Sequence, residues 1–496
     1  MIFHAATEVD VPEVVLTRHV VDRAHGDRVA LVDASSGERI THRELADQVD
    51  AAAGGLAGLG VDPGDVVALI SHNQPRVAVA LHAALTAGAV VTPVNPALTT
   101  GEVVRQLTAS GATVVIASEA AAEKVAEAAD VVGIEHRVVI GEARGFVSLG
   151  TLSGAVPEVR VTASDVALMP FSSGTTGAAK GVLLTHRNLV ANIEQNSAAW
   201  DLTADDVFAA VLPFFHIYGF TIILNLGLRH GATVVTLPRY EHDAHLRMIA
   251  DHGVTRAFVA PPMVIGLANA GGGGHDLSSL RHVLCGAAPL DVEVARRAEA
   301  VLGCGIRQGY GMTEASPGVT LADLGMEGTV GTLLPGTSAR LVDLATGVDG
   351  VEGELWVRGP QVMAGYLNNP VATSATLVDG WLRTGDVARV DDGVFRIVDR
   401  VKELIKYKGY QVAPAELEAV LLGHPGVSDV AVVGVPHAEG GEAPKAFVVA
   451  DAEVEGEELM AWVAERVAPY KKVRAVEFVE EIPKSPSGKI LRRLLR

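Results

Sequence analysis

The sequence has few cysteines, few aromatic residues and, over most of its length, few lysines. Its 496 residues include two cysteines, and aromatic residues make up 4% of the chain. Two thiols, Cys285 and Cys304, cannot build a disulfide framework or a cysteine-based metal cluster, which favours a reducing compartment. The first residues, MIFHAATEVDVPE, have no basic segment followed by an apolar run. This start is unlike a signal peptide, and we expect a cytoplasmic protein.

Lysine is scarce and unevenly distributed along the chain. Eight of the ten lysines follow residue 400. Residues 400–496 carry 14 basic and 15 acidic side chains, whereas residues 1–399 carry 26 and 44, within a net charge of −19 for the chain. Codon bias in an Ala/Val/Gly/Arg-rich chain explains the scarcity of lysine but not its clustering. The acidic charge excludes nonspecific nucleic-acid binding, which needs a basic face.

One uncharged stretch, residues 207–228, is long enough to cross a bilayer. It contains Pro213, His216, Asn225 and two glycines, and its flanks resemble turns. These residues interrupt a continuous apolar helix. We therefore predict a buried strand, turn and helix inside a globular core, with no membrane span.

The spacing of apolar residues predicts an α/β fold. In the first 150 residues, β-rich runs such as 28–32 alternate with helical segments such as 41–59, and the alternation returns after residue 200. This order predicts a large N-terminal body of parallel α/β subdomains. Short strands with glycine turns from about residue 330 predict a small barrel-like β unit. Mixed helices and strands after residue 400 predict a mobile α+β lid, which gives domains 1–399 and 400–496.

The clearest local motif is FSSGTTGAAKG at residues 171–181. Glycines let backbone N–H groups turn toward an anion, the hydroxyls add donors, and Lys180 adds charge. The segment is not a Walker A loop, because residue 179 is Ala where that motif needs Gly. A flexible Ser/Thr/Gly linker is the alternative. Lys180 argues against it, since only one other lysine precedes residue 400.

Two further motifs in the body carry groups suited to a nucleotide. QGYGMTE at residues 308–314 places an aromatic ring between glycines, followed by Thr and Glu oxygens that suit Mg²⁺. TGD at residues 384–386 provides a loop carboxylate that can accept both hydroxyls of a ribose. Each of these motifs, taken alone, is also typical of an ordinary turn.

The C-terminal segment supplies two basic motifs. DRVKELIKYKGYQ at residues 399–411 concentrates an arginine and three lysines, which is also typical of a solvated charged face. PKSPSGK at residues 483–489 places Lys489 at the end of a Pro/Ser/Gly loop, where a frayed terminus is the ordinary alternative.

Together these segments resemble the adenylate-forming superfamily of acyl-CoA synthetases, luciferases and carrier-protein adenylation domains. The resemblance runs from THREL at 41–45 through GEAPK at 441–445 to Lys489. LPFFHIYG at 212–219 and KELIKYKGYQVAPAE at 402–416 are most similar to the 4-coumarate–CoA ligases. The resemblance implies an AMP-forming acid–thiol ligase that uses ATP, Mg²⁺ and coenzyme A. It leaves a monomer and a homodimer equally open.

The resemblance also implies roles for individual residues in ATP binding and adenylation. Thr313 contacts the α-phosphate, Glu314 binds Mg²⁺, and Lys489 neutralises the charge that grows between carboxylate and phosphate. The other residues implied to hold the nucleotide are Ser172, Ser173, Gly174, Thr175, Thr176 and Lys180 at the phosphates, Gln308, Gly309 and Tyr310 at the adenine, and Asp386 and Arg400 at the ribose.

In the superfamily the C-terminal domain rotates between the adenylation and the thioester step, so its two faces act in turn. The residues implied for this lid and for coenzyme A are Lys402 at the hinge, Lys406, Lys408 and Gly409 on the coenzyme A side, Gln411 near the adenylate, and Arg239 as a basic contact on the body.

The acyl pocket is implied to lie beside His216, as an aromatic gate; a plain buried histidine is the alternative. The implied walls are Tyr218, Ile222, Leu284, Ala287, Gly309, Gly311, Pro317 and Gly318. The plant ligases have valine at the position of Gly318, so glycine enlarges the pocket, whereas Ile222 in place of a small residue narrows it. No charged wall residue is evident, which disfavours a dicarboxylate such as malonate.

The leading hypothesis is an ATP-dependent acid–CoA ligase for an aryl or arylpropenoic acid. A medium-chain fatty acid is the main alternative substrate. A second hypothesis sends the acyl group to a carrier protein, and a third is a non-catalytic binding protein with the same fold. The presence of Lys180, Glu314, Asp386 and Lys489 argues against loss of catalysis.

Overall fold

The computed structural model describes residues 1–172, 179–407, 410–437, 441–450, 453–485 and 488–495, with only the backbone at position 411. Helices of seven or more residues in these ranges are His42–Gly58, Pro75–Thr86, Thr100–Ser110, Ala122–Val132, His186–Ala199, Tyr218–Asn225, His242–His252, Pro261–Ala270, Val292–Leu302, Pro370–Thr376, Pro414–Leu422 and Gly456–Arg466. Shorter helices are Leu16–Val20, Arg23–His25, Glu119–Ala121, Leu149–Thr151, Leu226–Arg229, Thr313–Ala315, Pro469–Lys471 and Arg492–Leu494.

The first of two large sheets in the body has a parallel centre and an antiparallel edge. Its strands lie in the spatial order Phe171–Ser172, Lys180–Thr185, Val166–Leu168, Val90–Val94, Val66–Ile70, Val114–Ser118, His136–Ile140 and Val147–Ser148, and Gly365–Tyr366 pairs with the second of them. The strands from 66 to 140 pair in parallel, as the alternation of strands and helices predicts.

The second large sheet carries the adenine motif. Its order is Thr332–Leu333, Gly318–Leu321, Ile306–Gly311, His282–Cys285, Arg256–Val259, Val207–Ala210, Thr233–Thr236, Val29–Asp33 and Arg39–Thr41. The uncharged stretch 207–228 forms a buried strand, a turn and helix as expected, and its helix Tyr218–Asn225 has one extra residue per hydrogen-bonded turn. In the part of the chain that the structure describes, no helix is both long and apolar enough to cross a membrane.

A third, antiparallel sheet forms the small β unit expected from about residue 330. Its order is Phe3–His4, Ser338–Val342, Glu352–Arg358, Trp381–Asp391 and Leu377–Val378, with Asp349–Gly350 and Val394–Arg400 paired at the side. The N-terminal strand Phe3–His4 pairs with Ala339 and Ser338, a contact that sequence periodicity did not predict. Arg400 is the last residue of this sheet.

The chain after Arg400 forms a separate sheet with its own core. Its strands are Tyr410–Val412, Ile405–Tyr407, Gly441–Ala450 and Val427–His437, and Ala475–Phe478 adds in parallel. Helices Pro414–Leu422 and Gly456–Arg466 supply Leu417, Leu421 and Leu459 to this core. Together with the two large sheets and the small β unit, this lid confirms the expected fold class.

Local sequence explains where the long helices begin. Thr41 accepts a hydrogen bond from the Glu44 N–H, and the Glu44 carboxylate accepts one from the Thr41 N–H in return. Thr185 and Asn188 form the same reciprocal pair at the start of helix His186–Ala199. Both pairs satisfy backbone donors that the first turn of a helix leaves without partners.

The lid lies against the body in a defined position. Leu404 and Ala413 of the lid pack with Val387 of the third sheet, and Val398 and Val401 border this cluster. The lid loop at Gly488 also approaches the body, since a Cβ built on Gly488 would lie 2.8 Å from the Pro262 Cδ atom. These contacts place the lid beside the third sheet, with Gly488 near the carboxyl end of strand Arg256–Val259.

Candidate active site

A cavity of about 830 Å³ lies between the body and the lid. It brings together most of the residues that the sequence motifs indicated. Those lining it are Ser172, Lys180, His216, Tyr218, Ile222, Leu284, Ala287, Gly309, Tyr310, Gly311, Thr313, Glu314, Pro317, Gly318, Asp386, Arg400, Lys402 and Lys489. Segments far apart in sequence therefore meet at one site, which is expected where strands of an open sheet end.

At one end of the cavity Glu314 is held by two hydroxyl groups. It lies in the short helix Thr313–Ala315 that follows strand Ile306–Gly311, and it is 7% exposed. Its Oε1 atom accepts hydrogen bonds from the Ser172 hydroxyl at 3.3 Å and the Tyr366 hydroxyl at 2.9 Å. The Lys180 ammonium lies 4.8 Å from the centre of the Tyr366 ring. Tyr366 thus contacts both residues, Glu314 through its hydroxyl and Lys180 through its ring.

The surroundings of Glu314 suit Mg²⁺. Within the described ranges its Oε2 atom accepts no hydrogen bond, and no group of three or more metal-ligating side chains is present. Mg²⁺ bound with a nucleotide is held by one or two carboxylates together with phosphate oxygens and water. A single carboxylate with one open oxygen fits that pattern. The predicted phosphate-loop residues Ser173, Gly174, Thr175 and Thr176 lie outside the described residues.

Asp386 and Arg400 face each other across adjacent strands of the third sheet. They are direct cross-strand partners, and the Arg400 Nε atom lies 3.4 Å from Asp386 Oδ1. The Tyr310 hydroxyl donates to Asp386 Oδ2 at 2.6 Å. Burial raises the pKa of Asp386, and the Arg400 charge opposes this rise. Asp386, Arg400 and Tyr310, which were predicted for the ribose and the adenine, therefore form one connected polar group.

Lys489 reaches into the cavity from the lid. Its loop is closed by the Ser485 N–H, which donates to the Lys489 carbonyl at 2.8 Å. Burial and the nearby Arg400 charge lower the pKa of Lys489 to about 8, while Glu403, Asp386 and Glu314 act in the opposite direction. The ammonium is thus partly desolvated and close to the carboxylates of Asp386 and Glu314.

His216 lies beside Lys489 and is neutral at physiological pH. Burial, with a smaller effect of the Lys489 charge, lowers the pKa of His216 to about 4. Its Nδ1 atom accepts a hydrogen bond from the Tyr218 N–H at 3.3 Å, which leaves the proton of the neutral ring on Nε2. Such a weakly basic ring is poorly suited to act as a general base at neutral pH.

The apolar part of the cavity is defined by two tight glycine positions. A Cβ on Gly311 would lie 2.2 Å from the Pro317 carbonyl oxygen, so only glycine lets these two segments approach. A Cβ on Gly318 would lie 2.8 Å from Leu334 Cδ1. Leu334 therefore occupies part of the space that a missing side chain at residue 318 was expected to open.

Other predicted residues lie away from the cavity or outside the described residues. Gln308 and Arg239 do not line it, and Arg239 is exposed. Lys406 is also exposed and outside the lining, although its backbone N–H donates to Glu442 Oε2 at 3.0 Å. Lys408, Gly409 and the Gln411 side chain fall outside the described residues. The cavity thus contains Lys489 and not Lys406.

Of the cavity residues that sequence reasoning missed, two contribute polar or aromatic groups that bear on the site. Tyr366 supports both Glu314 and Lys180, and its only sequence signal was an aromatic residue after a glycine in a loop-rich segment. Asn196 lines the cavity from helix His186–Ala199, and nothing in the helical pattern distinguished it from a structural polar residue.

Comparison with family models identifies both parts of the chain. Residues 17–367 match the model described as AMP-binding enzyme, and residues 416–489 match the AMP-binding enzyme C-terminal domain. Among curated proteins, 4-coumarate–CoA ligase 5 of Oryza sativa subsp. japonica is 42% identical over 497 residues, which are 95% of this chain and 91% of that protein. The peroxisomal OPC-8:0-CoA ligase 1 of Arabidopsis thaliana is 39% identical, covering 97% and 92%.

Solved structures show the same architecture. ATP-bound MatB from Rhodopseudomonas palustris superposes with a TM-score of 0.89 at 30% identity, covering 97% of both chains. The o-succinylbenzoate CoA synthetase MenE from Bacillus subtilis, in complex with its acyl-adenylate intermediate, gives 0.86 at 27% identity, covering 98% of this chain and 99% of the other.

Proposed function

The chain belongs to the AMP-binding enzyme family and is an ATP-dependent, AMP-forming acid–CoA ligase, and we propose that its substrate is an aryl or arylpropenoic acid. The observation that carries the proposal is the single cavity in which Lys489, Glu314 and Asp386 meet an apolar section. The identity of about 40% with 4-coumarate–CoA ligases over most of the chain supports the choice of acid.

In the first half-reaction the acid's carboxylate displaces pyrophosphate from the α-phosphorus of ATP and gives an acyl-adenylate. Asp386, supported by Tyr310, accepts hydrogen bonds from the ribose hydroxyls, while Lys180 faces the phosphates. Lys489 lies where negative charge develops between the carboxylate and the α-phosphate. A preorganised, partly desolvated ammonium stabilises that charge more than it would in water. Glu314 would hold Mg²⁺, which supplies charge neutralisation at the phosphates when bound.

The second half-reaction transfers the acyl group to the coenzyme A thiol and releases AMP. Lys406, Lys408 and Gly409 are proposed to serve this step from the other face of the lid, after rotation about Lys402. In the described lid position Lys489 is half-buried and lines the cavity, whereas Lys406 is exposed and lies outside it, which supports this assignment. We infer that the described lid position, with Lys489 in the cavity, is the one that serves the adenylation step.

His216 is proposed to close the acyl section as a flat, neutral wall. Its low pKa removes the need to bury a charge when the acid binds, and the carboxylate reacts without losing a proton. Leu284 and Ile222 add apolar surface beside it. This lining favours an aromatic or alkyl acid over a dicarboxylate.

Pyrophosphate release over a panel of acids tests the proposal. The panel contains benzoic, cinnamic and 4-hydroxycinnamic acids together with hexanoic and octanoic acids, each with and without coenzyme A. We expect arylpropenoic acids to give the highest kcat/KM and thioester to form only with coenzyme A. A preference for octanoic acid would establish the fatty-acid alternative, and transfer to a phosphopantetheinylated carrier protein in place of coenzyme A would establish the carrier alternative.

A further inference from the structure

Asn196 is a polar side chain in the acyl section of the cavity that the proposed reaction does not use. Asn196 is 4% exposed and lines the cavity. Its Nδ2 atom donates to the Asn192 carbonyl at 2.8 Å and lies 3.4 Å from Asn192 Oδ1. Because both neighbours are acceptors, the nitrogen of the amide must face them. The Oδ1 atom points elsewhere and receives no hydrogen bond from any described group.

Asn192, which accepts the hydrogen bonds of Asn196, is itself held in place by a buried network. The Asn192 amide donates from Nδ2 to the Gly318 carbonyl and accepts from the Gly318 N–H at Oδ1, both at 2.9 Å. It also donates to Gln195 Oε1 at 3.0 Å, and Gln195 donates to the Pro335 carbonyl at 2.8 Å. A fully connected buried network of this kind holds its members in one arrangement. Asn196 therefore stands on a rigid support.

Gly318 leaves Asn196 uncovered. A Cβ at this position would lie 3.2 Å from Asn196 Nδ2, so a larger side chain here would stand against the amide. With glycine, the amide forms part of the cavity wall. Glycine at residue 318 therefore leaves the Asn196 amide as part of the cavity wall, while Leu334 fills part of the space beside it.

The hydroxyl groups of Tyr218 and Thr320 in this wall each use their one proton in a hydrogen bond within the protein. The Tyr218 hydroxyl donates to the Leu284 carbonyl at 3.0 Å, and the Thr320 hydroxyl donates to the Val330 carbonyl at 2.7 Å. Each hydroxyl has one proton, so both can offer only lone pairs to a ligand. Tyr218, Thr320 and Asn196 Oδ1 therefore each present an acceptor to the bound acid.

We propose that Asn196 is a specificity-determining residue that selects acids carrying a hydroxyl or amino hydrogen distant from the carboxylate. This inference rests on the proposed function, because a carboxylate placed at Lys489 directs the rest of the acid into the acyl section. A hydrogen-bond donor on the acid satisfies the Oδ1 atom of the Asn196 amide. A methoxy group or a second carboxylate brings only further acceptors and is disfavoured.

A matched series of acids tests this role: 4-hydroxycinnamic, 4-aminocinnamic, cinnamic and 4-methoxycinnamic acids. In the wild type we expect kcat/KM for the hydroxy and amino acids to exceed the other two by about tenfold, the effect of one buried neutral hydrogen bond. Asn196→Leu removes the acceptor, and Gly318→Val places methyl groups against the amide. Both variants should bring the ratio of hydroxy to unsubstituted acid close to one, and stabilisation by ATP in a thermal melt checks that each variant is folded.

A ratio near one in the wild type would overturn the inference, and so would an unchanged ratio in either folded variant. The wild-type series is decisive even if Asn196→Leu does not fold. Failure of the proposed function gives a different result, since no member of the series would then release pyrophosphate.

Discussion

Replacing Lys489 by methionine should remove adenylation and leave thioester formation from supplied acyl-adenylate. Methionine keeps an unbranched apolar stem and deletes the charge. Loss of one preorganised group facing a developing oxyanion typically costs about 10²–10³ in rate, so pyrophosphate release should fall by that factor. The second half-reaction should remain near the wild-type rate, because the role proposed for Lys489 ends before the proposed lid rotation.

The pH profile gives an independent measure of the same residue. With a pKa of about 8, Lys489 is roughly 90% protonated at pH 7 and about 10% protonated at pH 9. The reactive form is the ammonium, so kcat/KM for ATP should decline about tenfold per pH unit above pH 8. Methionine at residue 489 should abolish that decline.

Lys484→Met is the matched control. This lysine lies in the same loop, but its ammonium is 2.5 Å from Asp429 Oδ2, and it does not line the cavity. Because exposed or half-exposed ion pairs contribute little, adenylation should stay within about twofold of wild type. Equal loss of both half-reactions in Lys489→Met, or a pH decline that survives the substitution, would refute the role assigned to Lys489.

Three further predictions concern the lid and the nucleotide. Gly488→Ala adds a Cβ 2.8 Å from Pro262 Cδ at a φ of +80°, so it should slow pyrophosphate release and spare thioester formation from acyl-adenylate, measured in the same two assays. Asp386→Asn removes a charged acceptor and should raise KM for ATP by about ten- to a hundredfold, measured in steady-state kinetics; an unchanged KM would contradict the ribose assignment. Arg492→Met leaves the buried carboxylate of Glu418 without its partner and should destabilise the lid by about 3–5 kcal/mol, seen as faster limited proteolysis.

The loss of lid stability caused by Arg492→Met should become larger as pH rises. Burial raises the pKa of Glu418 to about 7. An acid whose folded pKa is raised is tolerated when protonated and costs stability as pH rises through that value. Proteolysis should therefore accelerate more at pH 8 than at pH 6, and equal rates would contradict the reasoning.

Gly488→Ala with unchanged pyrophosphate release would show that the loop at Gly488 need not contact the body.

Much of the fold follows from the sequence, because its determinants are local. The Thr41 cap, apolar alternation and glycine turns predicted helix and strand positions that the structure confirms within a few residues. The short strand Phe3–His4 could not be predicted, since its partner lies more than 300 residues away and two residues carry no periodicity. Such pairings are decided by tertiary packing.

The candidate site also contains residues that the sequence indicated and residues that it did not. The resemblance identified Glu314, Asp386 and Lys489, which carry charge in recognisable motifs. It did not identify Tyr366, because supporting a carboxylate through one hydroxyl leaves no pattern in the sequence. It also misjudged what Gly318 faces, since Leu334 and Asn196 come from other elements. The roles of individual residues, the domain boundary at residue 399 and the compartment stay predictions.

The position of Arg492 joins the active-site loop to the hinge. Arg492 lies three residues after Lys489 and pairs with Glu403, the residue that follows the proposed pivot at Lys402. It also holds Glu418 in the first lid helix. The segment around Arg492 is therefore tied by ion pairs to Glu403 and to the first lid helix. We expect a turn at Lys402 to withdraw Lys489 in the same motion that brings the opposite lid face inward, because Arg492 ties the loop of Lys489 to Glu403.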